Sequence, residues 1–211
     1  MNIKPGIFAF YKPKKISSFK FLEKIKKNSS IKKIGHAGTL DPLACGVLVV
    51  GLGGENCKKL NEIVKKEKEY IAIIKLGMNS VTDDEEGEKT KISLSQKPDL
   101  EKIKNTLNKF KGEIKQKPPI FSAIKIKGLP AYKLARQGKK VKIRARTVEL
   151  KDFKILKYHW PYLKIKIITG SGFYVRSLAK DLGRKLKTGA YLKDLERIRV
   201  GDFSKNKCLK I

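Results

Sequence analysis

Cysteine is scarce in this chain and carries no pattern: Cys45, Cys57 and Cys208 are the three in 211 residues. They make neither a Cys-x-x-Cys pair nor a Cys/His spacing suited to a metal, and their odd number argues against a disulfide framework, so no metal and no disulfide is expected. Long apolar runs are missing as well. No segment approaches the roughly 18 apolar residues of a membrane span, and no apolar stretch follows a basic N-terminal region as in a signal peptide, which predicts a soluble, cytoplasmic protein without membrane partners. Negative charge is the scarcest resource: 20 Asp and Glu face 50 Lys and Arg, a formal net charge of +30. That imbalance attracts polyanions, most strongly at low salt, and makes nucleic acid the first partner to consider. The competing account is a Lys-rich surface whose charge serves solvation.

The length suits one sizeable core, since domains run to about 100–200 residues, and a single domain over 1–211 is expected. Gly6–Phe10 reads as a strand running into a Tyr11-Lys12-Pro13 turn, after which Ser17 or Ser18 caps a helix with Phe19, Leu22 and Ile25 on its apolar face. Val47–Val50 is continuous and β-branched, as in a buried strand, and a second helix passes through Leu60, Ile63 and Val64. Tyr70–Leu76 is another strand. Between Ser80 and Lys91 the charge reverses around Asp83, Asp84, Glu85, Glu86 and Glu88 without periodicity, which reads as a solvated loop. Leu100–Phe110 and the segment from Pro130 to Gln137 read as helices. Alternation in Val148-Leu150-Phe153-Ile155 and Leu163-Ile165-Ile167 predicts an antiparallel pair turning near Trp160-Pro161. A last helix holds Leu178, Leu182 and Leu186. Irregular alternation of strands and helices favours an α+β fold, a mixed, mainly antiparallel central sheet assembled largely from local hairpins and flanked by helices and loops.

The most informative run is Gly35-His36-Ala37-Gly38-Thr39-Leu40-Asp41-Pro42-Leu43-Ala44-Cys45-Gly46. It sets one carboxylate, Asp41, in a loop of small residues. Asp before Pro is also an ordinary turn residue, but glycines at 35, 38 and 46 let the backbone approach a bulky ligand closely. The whole run resembles the catalytic motif of the bacterial tRNA pseudouridine-55 synthases, the TruB-type branch of the pseudouridine synthases. Ordered resemblances continue through Lys12-Pro13, Glu69-Tyr70-Ile71-Ala72, Pro118, Ser122–Lys125, Tyr132-Ala135-Arg136-Gln137-Gly138 and Gly172-Phe173-Tyr174-Val175-Arg176.

The resemblance implies the pseudouridine synthase fold and a cofactor-free, monomeric isomerase that acts on uridine 55 in the T-arm of tRNA. In it Asp41 is the essential carboxylate, Arg176 its cationic partner, and Tyr70 the aromatic that stacks on the extruded base. His36, Lys12, Tyr174 and Leu195 correspond to residues near the bound nucleotide, with Lys12 and Pro13 buttressing the loop. Read alone, Tyr70 and Leu195 are equally good core residues, Lys12 a solvated cation, and Arg176 a phosphate contact. The basic stretch within 112–146 is expected to form an RNA-contacting insertion. Relatives usually continue into a C-terminal PUA domain, which the resemblance does not find here; Val81 stands where an Asp is frequent, and Lys15 where Gly is usual. Two further readings stay open: a basic RNA-binding or tRNA-folding protein, and a pseudouridine synthase acting on another RNA.

Overall fold

The computed structural model describes residues 4–126, 128–139 and 141–210. The chain divides into two compact units, one of Met1–Ile71, Lys166–Ser171 and Asp194–Ile211, the other of Ala72–Ile165 and Gly172–Lys193.

The first unit is built around β3 (Cys45–Leu52), whose eight residues are all buried. Strand β1 (Gly6–Lys12) runs antiparallel along one side of it, from Gly6 opposite Leu52 to Lys12 opposite Gly46. The other side is shared. Strand β2 (Ile34–His36) pairs antiparallel with the Val50–Leu52 end, while β12 (Ala190–Val200) pairs parallel with Cys45 and Gly46 through Glu196 and Arg197. Residues 37–44 therefore leave the sheet as a loop between β2 and the point where β12 meets β3.

Both faces of β3 are covered by apolar side chains. Leu48, Val50 and Leu52 pack with Phe10 and with Phe21, Leu22 and Ile25 of α1 (Ser18–Lys27). Val47 and Val49 pack with Ala9, Ala37, Val200 and Leu60, the last from α2 (Gly54–Lys65). A continuous apolar run suits a strand buried on both faces, and each such side chain contributes about 1.5–3 kcal/mol on burial. Ser17, one of the two serines expected to cap α1, accepts the Lys20 N–H at 3.2 Å, but the apolar face of the helix differs from the one expected. Its buried face is Ser18, Phe21, Leu22 and Ile25, and Phe19 is 68% exposed. Tyr11 and Lys12 also belong to the strand rather than to a turn, because β1 pairs with β3 to its last residue.

The second unit holds antiparallel strand pairs and, among its described residues, three helices. Strand β7 (Gly112–Gln116) pairs antiparallel with β10 (Arg146–His159), from Gln116 opposite Arg146 to Gly112 opposite Leu150. Helix α3 (Leu100–Asn108) is capped by Asp99 and packs Ile103 and Leu107 inward. Helix α5 (Val175–Leu186) buries Leu178, Leu182 and Leu186, and its Gly183 is indispensable: an added Cβ would lie 2.3 Å from the Ala190 nitrogen. The two-residue strands β8 (Lys125–Ile126) and β9 (Leu129–Pro130) pair antiparallel, and a short helix α4 (Ala131–Arg136) follows Pro130.

With β4 (Lys68–Leu76) and β11 (Tyr162–Thr169), the main sheet has the order β1-β3-β12-β4-β11-β10-β7. The mixed, mainly antiparallel α+β sheet is as expected, but its assembly from local hairpins is not. The last long strand lies between two that precede it by more than a hundred residues, because β3 and β4 are buried strands that need neighbours on both edges, which a hairpin partner alone does not supply. The C-terminal segment also adds to the sheet: Leu209 donates its N–H to the Ala9 carbonyl at 2.8 Å and accepts from the Tyr11 N–H at 3.1 Å.

Candidate functional site

Asp41 sits half-buried in the loop of the first unit, and its neighbours in the loop are held one by one. The Leu40 N–H donates to Ser18 Oγ, and Ser18 Oγ donates to the Leu40 carbonyl, both at 2.9 Å. The Pro42 carbonyl accepts from the Lys15 N–H at 2.7 Å, and the Asp41 carbonyl accepts from the Ala44 N–H at 3.1 Å. Arg197, only 2% exposed, spans the two ends of the loop: its guanidinium donates to the Gly38 carbonyl at 2.9 Å and the Val47 carbonyl at 2.8 Å. Gly46 lets the Arg197 backbone pass. It has φ +111°, and an added Cβ would lie 2.1 Å from the Arg197 carbonyl oxygen.

Lys12 is wholly buried, against the solvated alternative, and its Nζ donates to the Pro13 and Ile16 carbonyls at 2.8 Å each. It thereby shapes the turn that presents Lys15 and Ser18. Lys15, standing where a glycine was expected, has φ +64°, a left-handed conformation that strains a side-chain-bearing residue. His36 is half-buried at the end of β2, and burial, helped by the Arg197 charge, pushes its pKa below the ordinary imidazole value. Its Nδ1 has no hydrogen-bond partner among the described residues. Tyr70 is buried on β4 and Leu195 on β12, both in this unit. Beside Tyr70, Glu69 is paired with Lys166 and, at 3.1 Å, with Arg199. Burial alone would push the Glu69 carboxyl up, but these two cations outweigh it and hold its pKa below the usual value.

Arg176 and Tyr174 belong to the second unit. Arg176, 4% exposed, is the second residue of α5, and it pairs with Asp84 Oδ2 at 3.2 Å and donates to the Phe121 carbonyl at 3.0 Å. Asp84 in turn accepts from Thr82 Oγ1 at 2.5 Å and from the Glu86 N–H at 3.0 Å. The segment read as a solvated loop is thus partly interior: Asp83 and Asp84 are buried, and β5 (Met78–Ser80) and β6 (Lys89–Lys91) flank them as a hairpin. A buried guanidinium requires a carboxylate, and the acidic run supplies it. Asp83 pairs with Lys180 at 3.0 Å, yet burial still raises its pKa. Gln116 holds Tyr174 at both backbone groups, its Oε1 accepting from the N–H at 2.8 Å and its Nε2 donating to the carbonyl at 3.1 Å. Arg146 lies over the Tyr174 ring, 5.2 Å from its centroid.

Sequence reasoning missed Asp84, Gln116, Arg197 and the loop role of Ser18. Two signals were available. An acidic cluster in a chain of +30 needs a reason to exist, and the Ser17-Ser18 doublet holds one hydroxyl more than a cap requires.

On the surface of the second unit, Lys125, Lys133, Arg136, Lys139, Lys142, Arg144 and Arg146 are exposed along the stretch expected to contact RNA. Its base is fixed by the Ala131 N–H to the Ile124 carbonyl at 2.7 Å and the Tyr132 N–H to the Ser122 carbonyl at 3.0 Å. Among the described residues no group of three or more His, Cys, Asp or Glu side chains could hold a metal ion, and no helix is long and apolar enough to cross a membrane.

Residues 26–175 match the family described as TruB family pseudouridylate synthase (N terminal domain). Among curated relatives, the tRNA pseudouridine synthase B of Clostridium tetani is 45% identical over 94% of this chain and 68% of its own length. That of Clostridium novyi is 43% identical over 98% of this chain and 71% of its own, and that of Phocaeicola vulgatus 39% over 100% and 92%. Among solved structures, a chain in a Cbf5-Nop10-Gar1 complex superposes with TM-score 0.76 at 26% identity, over 98% of this chain and 52% of that one. A chain in an H/ACA RNP bound to a substrate RNA containing 2'-deoxyuridine shares the fold, with TM-score 0.72 at 24% identity, over 97% of this chain and 50% of that one. This chain spans about half the length of those solved chains. Fold and matches together define the class, a pseudouridine synthase and hence an isomerase. Within that class, the chain belongs to the TruB family.

Proposed function

We propose that the substrate is tRNA and that the reaction converts uridine 55 of its T-loop to pseudouridine. The observation that carries this reading is the shared name of the relatives, tRNA pseudouridine synthase B, at 39–45% identity over 94–100% of the chain. On this reading the chain is a single catalytic domain acting as a cytoplasmic monomer without a cofactor. The exposed cations of the basic stretch within 112–146 meet phosphates of the T-arm, giving affinity without sequence readout.

The chemistry follows from the residue types. The glycosidic bond must break, the uracil must turn, and C5 must bond to C1′, with no water added and no atom lost. One ionised carboxylate beside the sugar suffices, whether it attacks C1′ or removes a proton at C2′, in contrast to glycosidases that need two. Asp41 is that group in this proposal. Arg176 is the cation that keeps it ionised out of water, and Tyr70 stacks on the extruded base, an interaction of about 1–3 kcal/mol that offsets part of the unstacking. His36, Lys12, Tyr174 and Leu195 shape and line the nucleotide pocket.

Tritium release from C5-labelled uridine in an unmodified tRNA transcript tests the reading. Release by the natural protein, lowered about 10⁴-fold or more in Asp41→Asn, is the expected result. Tight binding with no release from the natural protein would overturn the enzyme reading on this substrate and favour an RNA-binding role. Release that maps to a different RNA position would move the substrate and keep the chemistry.

A further inference from the structure

Ser17 alone does the capping of α1, since its side chain accepts the Lys20 N–H. The hydroxyl of Ser18, at the first position inside the helix, is therefore not needed by the helix, where alanine would serve at least as well. It points instead at the loop. Ser18 and Leu40 are each 2% exposed, and the hydroxyl bonds Leu40 twice, its oxygen accepting from the Leu40 N–H and its O–H donating to the Leu40 carbonyl. That carbonyl belongs to the peptide that carries the Asp41 nitrogen. On the far side of Asp41, the Pro42 carbonyl is held by the Lys15 N–H, from the same turn that leads into α1. Residues 40 and 42 are thus both tied to one short segment, 15–18, and Asp41 lies between the ties.

We propose that Ser18 is a positioning residue for Asp41, setting where the carboxylate stands by fixing both backbone groups of the residue before it. The proposal rests on the reading of Asp41 as the essential carboxylate. Without the hydroxyl, the buried N–H and carbonyl of Leu40 have no side chain to bond and must turn toward other partners, carrying the Asp41 peptide with them. A displacement of the order of 1 Å at a reacting group lowers a rate by up to about 100-fold while leaving substrate binding to the rest of the surface intact.

The test uses the full chain with Ser18→Ala and Ser18→Thr, the latter keeping a hydroxyl. Two readouts are taken: amide hydrogen exchange at Leu40 by NMR, and single-turnover tritium release from tRNA beside the Kd for the same tRNA. In Ser18→Ala, Leu40 exchange is expected to accelerate about 10-fold or more while Val47–Val50 stay protected. The single-turnover rate should fall about 10- to 100-fold at unchanged Kd, with most of it restored in Ser18→Thr. Unchanged exchange at Leu40, or accelerated exchange with an unchanged rate, overturns the proposal. So does a rate loss in Ser18→Ala matched by loss of protection across β3, since the serine would then support the fold generally. If the natural protein releases no tritium, the tRNA reading fails on its own, and unaltered exchange at Leu40 would still sink the clamp.

Discussion

Cations do opposite work in two regions of this molecule. In the first unit, Arg197 and Lys68 are buried and bond to backbone carbonyls: Arg197 to Gly38 and Val47 of the Asp41 loop and its exit, Lys68 to Val64 and to Lys66, the last at 2.5 Å. Along the basic stretch of the second unit, Lys133, Arg136, Lys139, Lys142 and Arg144 stand in solvent. The first kind holds chain segments at the cost of desolvating charge; the second makes a field and holds little. A net charge of +30 therefore mixes two quantities, of which only the exposed part bears on polyanion binding.

Arg197 gives the strongest way to break this contrast. Arg197→Met removes two charge-assisted hydrogen bonds to carbonyls that stay buried, and a loss of about 2–4 kcal/mol in urea unfolding is expected, partly offset because no charge is buried any longer. Arg197→Lys should recover less than half, since one ammonium does not reproduce a planar fork that reaches both ends of the loop. The His36 pKa should also rise in Arg197→Met, because the Arg197 charge is one of the two causes that depress it, and imidazole NMR titration reads this directly. A folded Arg197→Met with unaltered stability would show that the loop needs no buried cation.

The exposed cations should behave in the reverse way. The triple variant Lys133→Gln, Arg136→Gln, Arg144→Gln is expected to weaken tRNA binding about 10-fold at moderate salt and to flatten log Kd against log salt by roughly 0.7–0.9 for each phosphate left without its cation. Its stability should stay within about 0.5 kcal/mol of the natural protein, and single-turnover release at saturating protein should not change. A fall in that saturated rate would mean the stretch shapes the reacting complex rather than only capturing it.

How far these roles could be read beforehand depends on the distance over which the cause acts. The buried run Val47–Val50 and the cap at Ser17 are local effects, and they were legible. The Asp41 run was legible as a pattern, but what holds it was not, because its ties come from Ser18 and Arg197, distant in the chain. Asp84 misled, and the solvated alternative for Lys12 failed, for one reason: hydropathy assigns a lone charge to solvent, whereas burial depends on partners that only the fold supplies, such as the Pro13 and Ile16 carbonyls for Lys12 and Arg176 for Asp84. Phe19 misled the other way, since a shift of two positions along a helix turns a side chain out of the core.

Lys68 offers the finest test of the contrast, because its charge can be removed by pH alone. It is 6% exposed, and burial, with the Arg197 charge added, pushes its pKa down to about 8. Below pH 8 the folded and unfolded chains both hold this proton, and the folded state bears the cost of a buried ammonium. Between about pH 8 and the ordinary lysine value the unfolded chain still holds the proton and the folded chain has released it. Stability then rises with pH, by at most about 1.4 kcal/mol per unit for one proton. Tyr11 and Tyr191 act in the other direction: burial foremost raises both hydroxyls above the ordinary tyrosine value, so their contribution declines once the unfolded tyrosines ionise near pH 10. The window for Lys68 is thus about pH 8–10, where the half-buried Cys208 thiol lowers stability as pH rises in every variant and urea midpoints of the natural protein should climb relative to those of Lys68→Met. An exposed control, Lys133→Met, should climb as the natural protein does. If Lys68→Met climbs equally, the ammonium is not desolvated in the folded state, and the division between buried and exposed cations does not extend to this residue.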